Sequence, residues 1–229
     1  MFAFRETLAL DPDPASGSRV EVAFTDVSLD LREGDRLGAA LAALSDAAGV
    51  PFSRLDQVHG AAVVAVTGPA DELPSADGQV AAARGVGLMV RVADCVPVVL
   101  ADPTAGVLGA AHAGRRGVEL DVVTRTVEGM RALGAADIVA WVGPHICGRC
   151  YEVPATMREE VAAAVPTTYA ETSWGTPALD LGAGVSAQLA AAGVAATRVP
   201  GCTLEDRRFH SHRRDGAAAG RFAGLVWLS

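Results

Sequence analysis

The sequence lacks a long apolar run and lacks any excess of basic side chains. A membrane-spanning helix needs roughly 18–20 consecutive apolar residues, so the sequence predicts no membrane span. The formal net charge is −8 and the isoelectric point is about 5.1. Because nucleic acids and anionic membranes bind basic surfaces, this charge argues against both as partners.

Cysteine is scarce as well, with four residues among 229, and the first residues lack the basic and apolar segments of a signal peptide. We therefore expect a cytoplasmic location, where cysteines serve metals, chemistry or packing. No internal repeat or obvious linker interrupts the chain, which predicts one domain over residues 1–229. Composition leaves the oligomeric state open between monomer and dimer.

Apolar strands interspersed with amphipathic helices are what the sequence does contain. The segment 68–78 is rich in proline, aspartate and glycine and is predicted to be a loop, and the apolar tail 221–228 is expected to pack against the body. This alternation predicts a mixed α/β class (α+β, with mixed sheets) rather than a purely parallel sheet. Strands, some with adjoining turns, are predicted over 19–30, 61–66, 86–92, 96–101, 106–111 and 138–143, and helices over 35–48, 117–133, 155–164 and 183–192.

A predicted β-hairpin carries the first candidate site. Its turn chemistry lies in Asp102-Pro103-Thr104-Ala105, and a turn centred between Pro103 and Thr104 places Cys95 opposite His112. Opposed residues have Cβ atoms about 4.5–5.5 Å apart, so both side chains are predicted to reach one metal ion. A slip of one residue would send one of them to the other face.

His59 is the third candidate ligand. It stands in Gln57-Val58-His59-Gly60, before an apolar strand and beside a glycine that permits close backbone approach. Two histidines and one cysteine leave a fourth zinc position open, which is typical of catalytic rather than structural zinc. The alternative for Cys95 is ordinary core packing, since a buried cysteine behaves as a small hydrophobe.

Several ordered motifs cover roughly residues 55–229, and together they resemble one known family. The matching segments are QVHG (57–60), the Asp77-Gly78 turn, VRVADCVPVVLADP (90–103), GVLGAAHAG (106–114), GPHICGRCYEV (143–153), LDL (179–181) and RRDGAAAGRFAGLVWL (213–228). The chain is similar to the bacterial laccase-domain family, also described as multicopper polyphenol oxidase-like or peptidoglycan editing factor proteins. The resemblance implies that family's fold and implies that His59, Cys95 and His112 are its metal ligands.

The same resemblance implies an activity. Family members are described as zinc enzymes that phosphorolyse adenosine, inosine and methylthioadenosine and deaminate adenosine, and the family is linked to editing of peptidoglycan precursors. The expected partners are therefore a purine nucleoside and phosphate. The chain departs from the family at Arg115, where tryptophan is usual, and at His210-Ser211-His212, where Phe-Ser-Tyr is usual.

Deamination would need a proton carrier beside the metal. Zinc lowers the pKa of bound water toward about 7, and a carboxylate or histidine must then transfer protons. Asp77 and Asp94 are the candidates. The strong alternative is that each only forms a turn, because an aspartate beside glycine or before a strand often does so.

Phosphorolysis would need cations that hold phosphate. Arginine suits oxyanions because its guanidinium binds them in a bidentate manner. The alternative for 207–214 is a solvated basic face. The candidates are Arg91, Arg115, Arg213 and Arg214.

Other functions remain open from the sequence. A copper-dependent polyphenol oxidase (Cu²⁺) would need several coppers and many histidines, whereas the chain has five histidines, which favours redox-inert Zn²⁺. A Cys–His hydrolase would use Cys95 as nucleophile and His112 as base. A non-catalytic, zinc-stabilised binding protein would need a fourth ligand, such as His145 or Cys150.

The remaining cysteines form a partial motif. Cys147-Gly148-Arg149-Cys150 is a CxxC, which suits a redox pair or half of a zinc site. No second CxxC accompanies it, so we favour a structural loop near the active site. Cys202 is predicted to pack in the core or a loop.

Overall fold

The computed structural model describes residues 1–9, 19–68 and 72–229. Its helices are Leu37–Ala48 (α1), Arg115–Glu119 (α2), Val122–Ala132 (α3), Ala155–Ala164 (α4), Leu181–Ala191 (α5) and His212–Asp215 (α6), with 3₁₀ turns at Pro166–Thr168 and Gly216–Ala218. Its strands are Phe2–Ala9 (β1), Arg19–Thr25 (β2), Phe52–Ser53 (β3), Val63–Ala65 (β4), Gly78–Ala81 (β5), Gly87–Val92 (β6), Val96–Asp102 (β7), Val107–Ala113 (β8), Val139–Val142 (β9), Tyr169–Glu171 (β10), Pro177–Leu179 (β11), Ala195–Arg198 (β12) and Phe222–Leu228 (β13).

Within these residues the strands form two large mixed sheets and one small antiparallel pair, β10-β11. The five-stranded sheet has the order β1-β2-β13-β6-β3, and the six-stranded sheet has the order β12-β9-β7-β8-β5-β4. The pairs β3–β6, β4–β5 and β9–β12 are parallel, and the other pairs are antiparallel. The predicted mixed α/β class is therefore confirmed.

The two large sheets pack face to face, and helices cover their outer faces. Successive side chains of a strand point to opposite faces. On β7, Val99 belongs to the cluster shared with β2, β6 and β13, whereas Val98 belongs to the cluster with α3 and α5. On β13, Val226 faces the other sheet, and Trp227 packs with Leu44 of α1. Strands β7 and β8 are thus buried on both faces, which explains their continuous apolar sequence.

The hairpin of β7 and β8 forms as predicted, but its register was predicted wrongly. The turn occupies 103–106, so Asp102 pairs with Val107 and His112 pairs with Pro97 rather than Cys95. The turn therefore lies one residue later than predicted, and the pairing shifts by two positions. A shift of two keeps side chains on the same face, so Cys95 and His112 become diagonal neighbours, which still approach within about 7–8 Å.

The single helix predicted over 117–133 is also wrong. The structure has two helices there, because Asp121 adopts the left-handed conformation with φ of 60° and caps α3 by accepting a hydrogen bond from Thr124 N. Leu120 is 45% exposed at this break. An aspartate that caps the following helix outweighs a continuous apolar period.

Other predicted segments agree with the structure to within a few residues. The helices predicted over 35–48, 155–164 and 183–192 correspond to α1, α4 and α5, and the apolar tail forms the central strand β13. Strands β1, β3, β5 and β10–β12 were not predicted. Of the predicted loop 68–78, residues 69–71 lie outside the described residues. None of the helices in the described ranges has the length and hydropathy to cross a lipid bilayer.

The carboxylate of Asp102 closes the hairpin. It is 1% exposed and accepts hydrogen bonds from the amides of Thr104, Ala105, Ala136 and Asp137 at 2.7–2.9 Å. Burial alone would raise the pKa of this carboxyl group, but the four amides outweigh burial and lower it. One side chain thereby anchors both the turn before β8 and the loop before β9.

We expect Asp102→Ala to lower the free energy of unfolding by about 2–3 kcal/mol at pH 7, because amide donors lose a charged acceptor. A carboxyl group with a lowered folded-state pKa stabilises above its unfolded pKa and loses that effect as pH falls. The difference between wild type and variant should therefore shrink below about pH 4 in urea titrations. The control is Asp137→Ala, which removes an exposed carboxylate and should change stability by less than ~0.5 kcal/mol. Equal stabilities of wild type and Asp102→Ala would contradict this role.

Candidate metal centre

Three side chains from separate segments meet at one end of the hairpin. His112 lies on β8, Cys95 immediately precedes β7, and His59 lies in the loop before β4. Their ligand atoms all lie within 4.8 Å of one another. Cys95 Sγ is 3.8 Å from His59 Nε2, and the two imidazole rings are edge to face at 4.8 Å between centroids. The structure thus brings together the three predicted ligands.

A buried carboxylate behind the cluster sets its geometry. Asp77 is completely buried, and its Oδ1 lies 2.7 Å from His112 Nδ1. The same carboxylate accepts hydrogen bonds from the amides of Val58, His59 and Gly60 at 2.6–3.2 Å. Asp77 therefore positions two candidate ligands, one through its ring and one through its backbone. It does not line the cleft described below, so this geometry favours a positioning role over that of a proton carrier.

Backbone shape at the cluster depends on two special positions. His59 has a φ of 59°, a left-handed conformation that few residues other than glycine adopt. At Gly114, an added Cβ would lie 2.7 Å from His59 Cδ2 and 3.1 Å from Cys95 Sγ. Any larger residue at 114 would push the ligands apart.

Charges within the cluster favour metal binding by the thiol. Burial raises the pKa of Cys95, but the charge and hydrogen bond of His112 and the contact with His59 outweigh it and lower the pKa to about 6. Burial lowers the pKa of His112, but the Cys95 thiolate and Asp77 raise it to about 9. The pKa of Asp77 is lowered, because hydrogen bonds from His112, Gly60 and His59 outweigh its burial. Thiolate is the form that binds metal, and a cation would displace the imidazolium proton.

The donor set fits a divalent ion of the zinc type. One soft thiolate and two imidazole nitrogens suit zinc, and three protein ligands leave one position open. Among the described residues, no fourth histidine, cysteine or carboxylate joins this group. His145 is buried elsewhere, with its Nδ1 2.7 Å from Gly143 O, and Cys150 belongs to another cluster. The cluster can therefore hold a metal ion that keeps an accessible coordination site.

The cluster opens into a cleft with a volume of about 1100 Å³. Its acidic lining residues are Glu33, Asp56 and Asp94. Within the described ranges, arginines outnumber these acids by two to one, so the cleft is locally basic although the chain is acidic. The arginines are Arg32, Arg91, Arg115, Arg116, Arg213 and Arg221.

Three of the predicted phosphate ligands lie in this cleft, but each already has a partner. Arg91 pairs with Glu33 at 2.6 Å, and Arg115 pairs with Glu119 at 2.9 Å. Arg213 donates to a backbone carbonyl and lies over the Tyr151 ring. Their side chains therefore line the cleft with partners already in place.

Arg214 and Asp94 serve mainly to hold the wall of the cleft. Arg214 lies outside the cleft lining, because its guanidinium donates to the carbonyls of Thr203 and Phe209 and pairs with Asp215. Asp94 does line the cleft, but its carboxylate oxygens accept hydrogen bonds from the Thr203 hydroxyl and from the backbone amide of Arg213. Of this pair, only Asp94 stands where a substrate can reach it.

Sequence reasoning missed further residues of the cleft. Arg116 is exposed and, within the described structure, its guanidinium has no hydrogen-bond or ion-pair partner. The sequence signal that could have identified it is its position next to Arg115, which was a predicted phosphate ligand. Tyr151 belongs to the CYEV motif and His212 to the basic tail, yet neither was assigned a role. No sequence pattern indicates that Arg32 lines the cleft, because it reaches the cleft from a loop that is distant in sequence.

Comparison with known proteins was made on sequence and on fold. Residues 21–229 match the family described as multi-copper polyphenol oxidoreductase laccase. The chain is 50% identical over 218 residues to "Purine nucleoside phosphorylase SCO2081" of Streptomyces coelicolor, covering 90% of each protein. It is 57% identical over 180 residues to "Purine nucleoside phosphorylase ORF3" of Streptomyces griseus, covering 76% of this chain and 73% of that protein.

Solved structures share the fold at lower identity. The Neisseria meningitidis protein NMB0706, described as DUF152, superposes with a TM-score of 0.82 at 26% identity, covering 98% of this chain and 99% of that one. YlmD from Geobacillus stearothermophilus superposes with a TM-score of 0.77 at 28% identity, covering 96% and 95%. These likenesses agree with the mixed α/β architecture and confirm the family resemblance drawn from the motifs.

We expect Asp77→Asn to weaken binding of a divalent metal by about 10–100-fold, since the amide keeps the volume but loses the charge that orients His112. Competition against a chromogenic chelator measures this affinity. Asp56→Asn is the matched control, because it changes a carboxylate of the cleft that contacts Ser75 rather than the cluster. A folded Asp77→Asn protein with wild-type affinity would contradict the positioning role.

Proposed function

The chain belongs to the multi-copper polyphenol oxidoreductase laccase family, and on that premise we propose that it is a zinc-dependent purine nucleoside phosphorylase that also deaminates adenosine. The observation that carries the proposal is the three-ligand cluster at an arginine-lined cleft. The names of the Streptomyces relatives support the same activity. Adenosine, inosine and methylthioadenosine are the proposed substrates, and the link to peptidoglycan precursor editing stays a prediction.

Phosphorolysis requires that the cleft hold the nucleoside and phosphate together, with a phosphate oxygen in line with the bond that breaks. The bond between ribose C1′ and the purine nitrogen breaks, a phosphate oxygen forms the new bond to C1′, and the leaving purine takes up a proton. Arginines of the cleft would hold the phosphate and offset its charge. Arg116 suits this role because no ion pair has to break before phosphate binds.

His59, Cys95 and His112 would hold the metal, and Asp77 would keep His112 in the orientation that binds it. When bound, zinc would supply the Lewis acidity that activates water for attack on the purine in deamination. Asp94 lines the cleft and stays the candidate carboxylate for proton transfer. A copper oxidase is the weaker alternative, because only two of the five histidines join the cluster.

A second candidate function follows from the same atoms. A Cys–His hydrolase needs a thiolate beside a histidine that a carboxylate orients, and Cys95, His112 and Asp77 meet that description. Metal dependence separates the two functions. The hydrolase would keep its activity after complete removal of metal, whereas the phosphorylase would lose it.

We expect the purified protein with adenosine and phosphate to form adenine and ribose 1-phosphate, and to form inosine when it deaminates. His112→Ala and chelated wild type should both lose at least about 100-fold in turnover, because each removes the metal of the His59, Cys95 and His112 cluster. Chromatography of the nucleobases, with and without phosphate, measures both reactions. Oxidation of a phenol without nucleoside turnover would instead favour a laccase, and full turnover by His112→Ala would overturn the mechanism.

We expect Arg116→Ala to raise the KM for phosphate by about 10-fold, because a charge-assisted hydrogen bond contributes roughly 1.5–3 kcal/mol and exposure reduces that value. The rate of deamination, which uses no phosphate, should stay unchanged. Arg207→Ala is the matched control, since Arg207 is exposed and lies outside the cleft lining. An unchanged phosphate KM in Arg116→Ala would remove this residue from the phosphate site.

A further inference from the structure

Two tight turns lie side by side behind the cleft wall. In the first, the amides of Cys150 and Tyr151 donate to Cys147 O at 2.9 and 3.0 Å. In the second, the amide of Glu205 donates to Cys202 O at 3.1 Å. A bridge between His145 and Cys202 joins the two segments. Each turn therefore presents two potential metal ligands at positions i and i+3, and the pairs face each other.

The four ligand atoms are already gathered. The sulfur atoms of Cys147, Cys150 and Cys202 and a carboxylate oxygen of Glu205 all lie within 4.8 Å of one another. The cysteines are free thiols, of which Cys150 is buried and Cys147 and Cys202 are half-buried. Glu205 is exposed. Three thiols and one carboxylate, taken two from each turn, match the ligand number of a structural zinc site, and zinc binds both thiolate and carboxylate.

We propose that Cys147, Cys150, Cys202 and Glu205 form a second metal site, which takes a thiophilic divalent cation such as Zn²⁺ and clamps the two turns together. This site is structural, because four protein ligands close its coordination. It is separate from the cluster of His59, Cys95 and His112, and the proposal does not depend on the proposed enzymatic activity.

Electrostatics within the group point the same way. Burial and the neighbouring sulfur atoms raise the pKa of the Cys150 thiol, and burial raises the pKa of Cys202 in spite of hydrogen bonds from two amides. The thiols therefore oppose one another's ionisation, and a divalent cation would relieve that opposition. A disulfide between two of the cysteines would require an oxidant. It would also not explain why the third sulfur and Glu205 lie beside them.

The clamp would act on the cleft through Asp94. Ile146, next to Cys147, donates its amide to Asp94 O at 3.0 Å, and Thr203, next to Cys202, donates its hydroxyl to the Asp94 carboxylate. Asp94 directly precedes Cys95, a ligand of the first cluster. Holding the two turns together would therefore hold the backbone that aims Cys95.

Metal analysis of the full chain purified under reducing conditions tests the proposal. We expect His112→Ala to keep about one zinc per chain and the double variant His112→Ala, Cys202→Ser to keep almost none. Ser173→Ala, which alters a contact to Arg149 between the two CxxC cysteines, is the control and should keep its zinc. Because the comparison is made in the His112→Ala background, it stands even if the first cluster binds no metal and the proposed function fails.

Alkylation of the wild-type protein tests the same site without a substitution. We expect iodoacetamide to modify Cys147, Cys150 and Cys202 at least about 10-fold faster after treatment with a strong chelator, because metal-bound thiolates are shielded. Mass spectrometry reads each position separately, so Cys95 is scored apart. Equal alkylation with and without chelator would overturn the proposal. So would a Cys147–Cys150 disulfide in protein purified under reducing conditions, or an unchanged zinc content in the folded double variant His112→Ala, Cys202→Ser.

Discussion

The buried carboxylate of Asp77 is the interaction on which the candidate metal centre depends. An ionised carboxylate without partners is costly to bury, and here His112 and three consecutive amides surround it. Those partners belong to a strand and to a loop that are distant in sequence. Charge satisfaction therefore assembles the site: the loop folds around Asp77 because its amides need the acceptor, and His59 is carried into place as a consequence.

The hydrophobic layers supply the rigid frame around this charge. Strands β7 and β8 are buried on both faces, so their ends cannot shift without disturbing two cores. The cleft opens at one end of these strands, where polar side chains replace the continuous apolar sequence. The chain has no lysine, so apart from histidine the basic side chains that line the cleft are planar guanidinium groups suited to oxyanions. An acidic protein thus presents a local basic surface.

Much of this arrangement was predictable, for reasons that differ between elements. Apolar period and turn residues predicted the hairpin. A register error of two residues leaves side chains on the same face, so Cys95 and His112 stayed close to each other although they are not paired. The break at Asp121 was missed because a cap competes with a continuous apolar pattern. The closeness of Cys202 to Cys147 and Cys150 and the reach of Arg32 into the cleft were not predicted, for a different reason. Their positions depend on tertiary packing between segments far apart in sequence, which no local pattern records.

The left-handed backbone of His59 shows how stability and chemistry are traded at this site. A side chain in that conformation costs roughly 1–2 kcal/mol relative to glycine, and hydrogen bonds to Asp77 hold it there. An engineer who optimised this chain for heat resistance alone would place glycine at position 59 and remove a candidate metal ligand. Thermostability screens of this fold would therefore tend to select against its own centre, unless activity were scored alongside melting temperature.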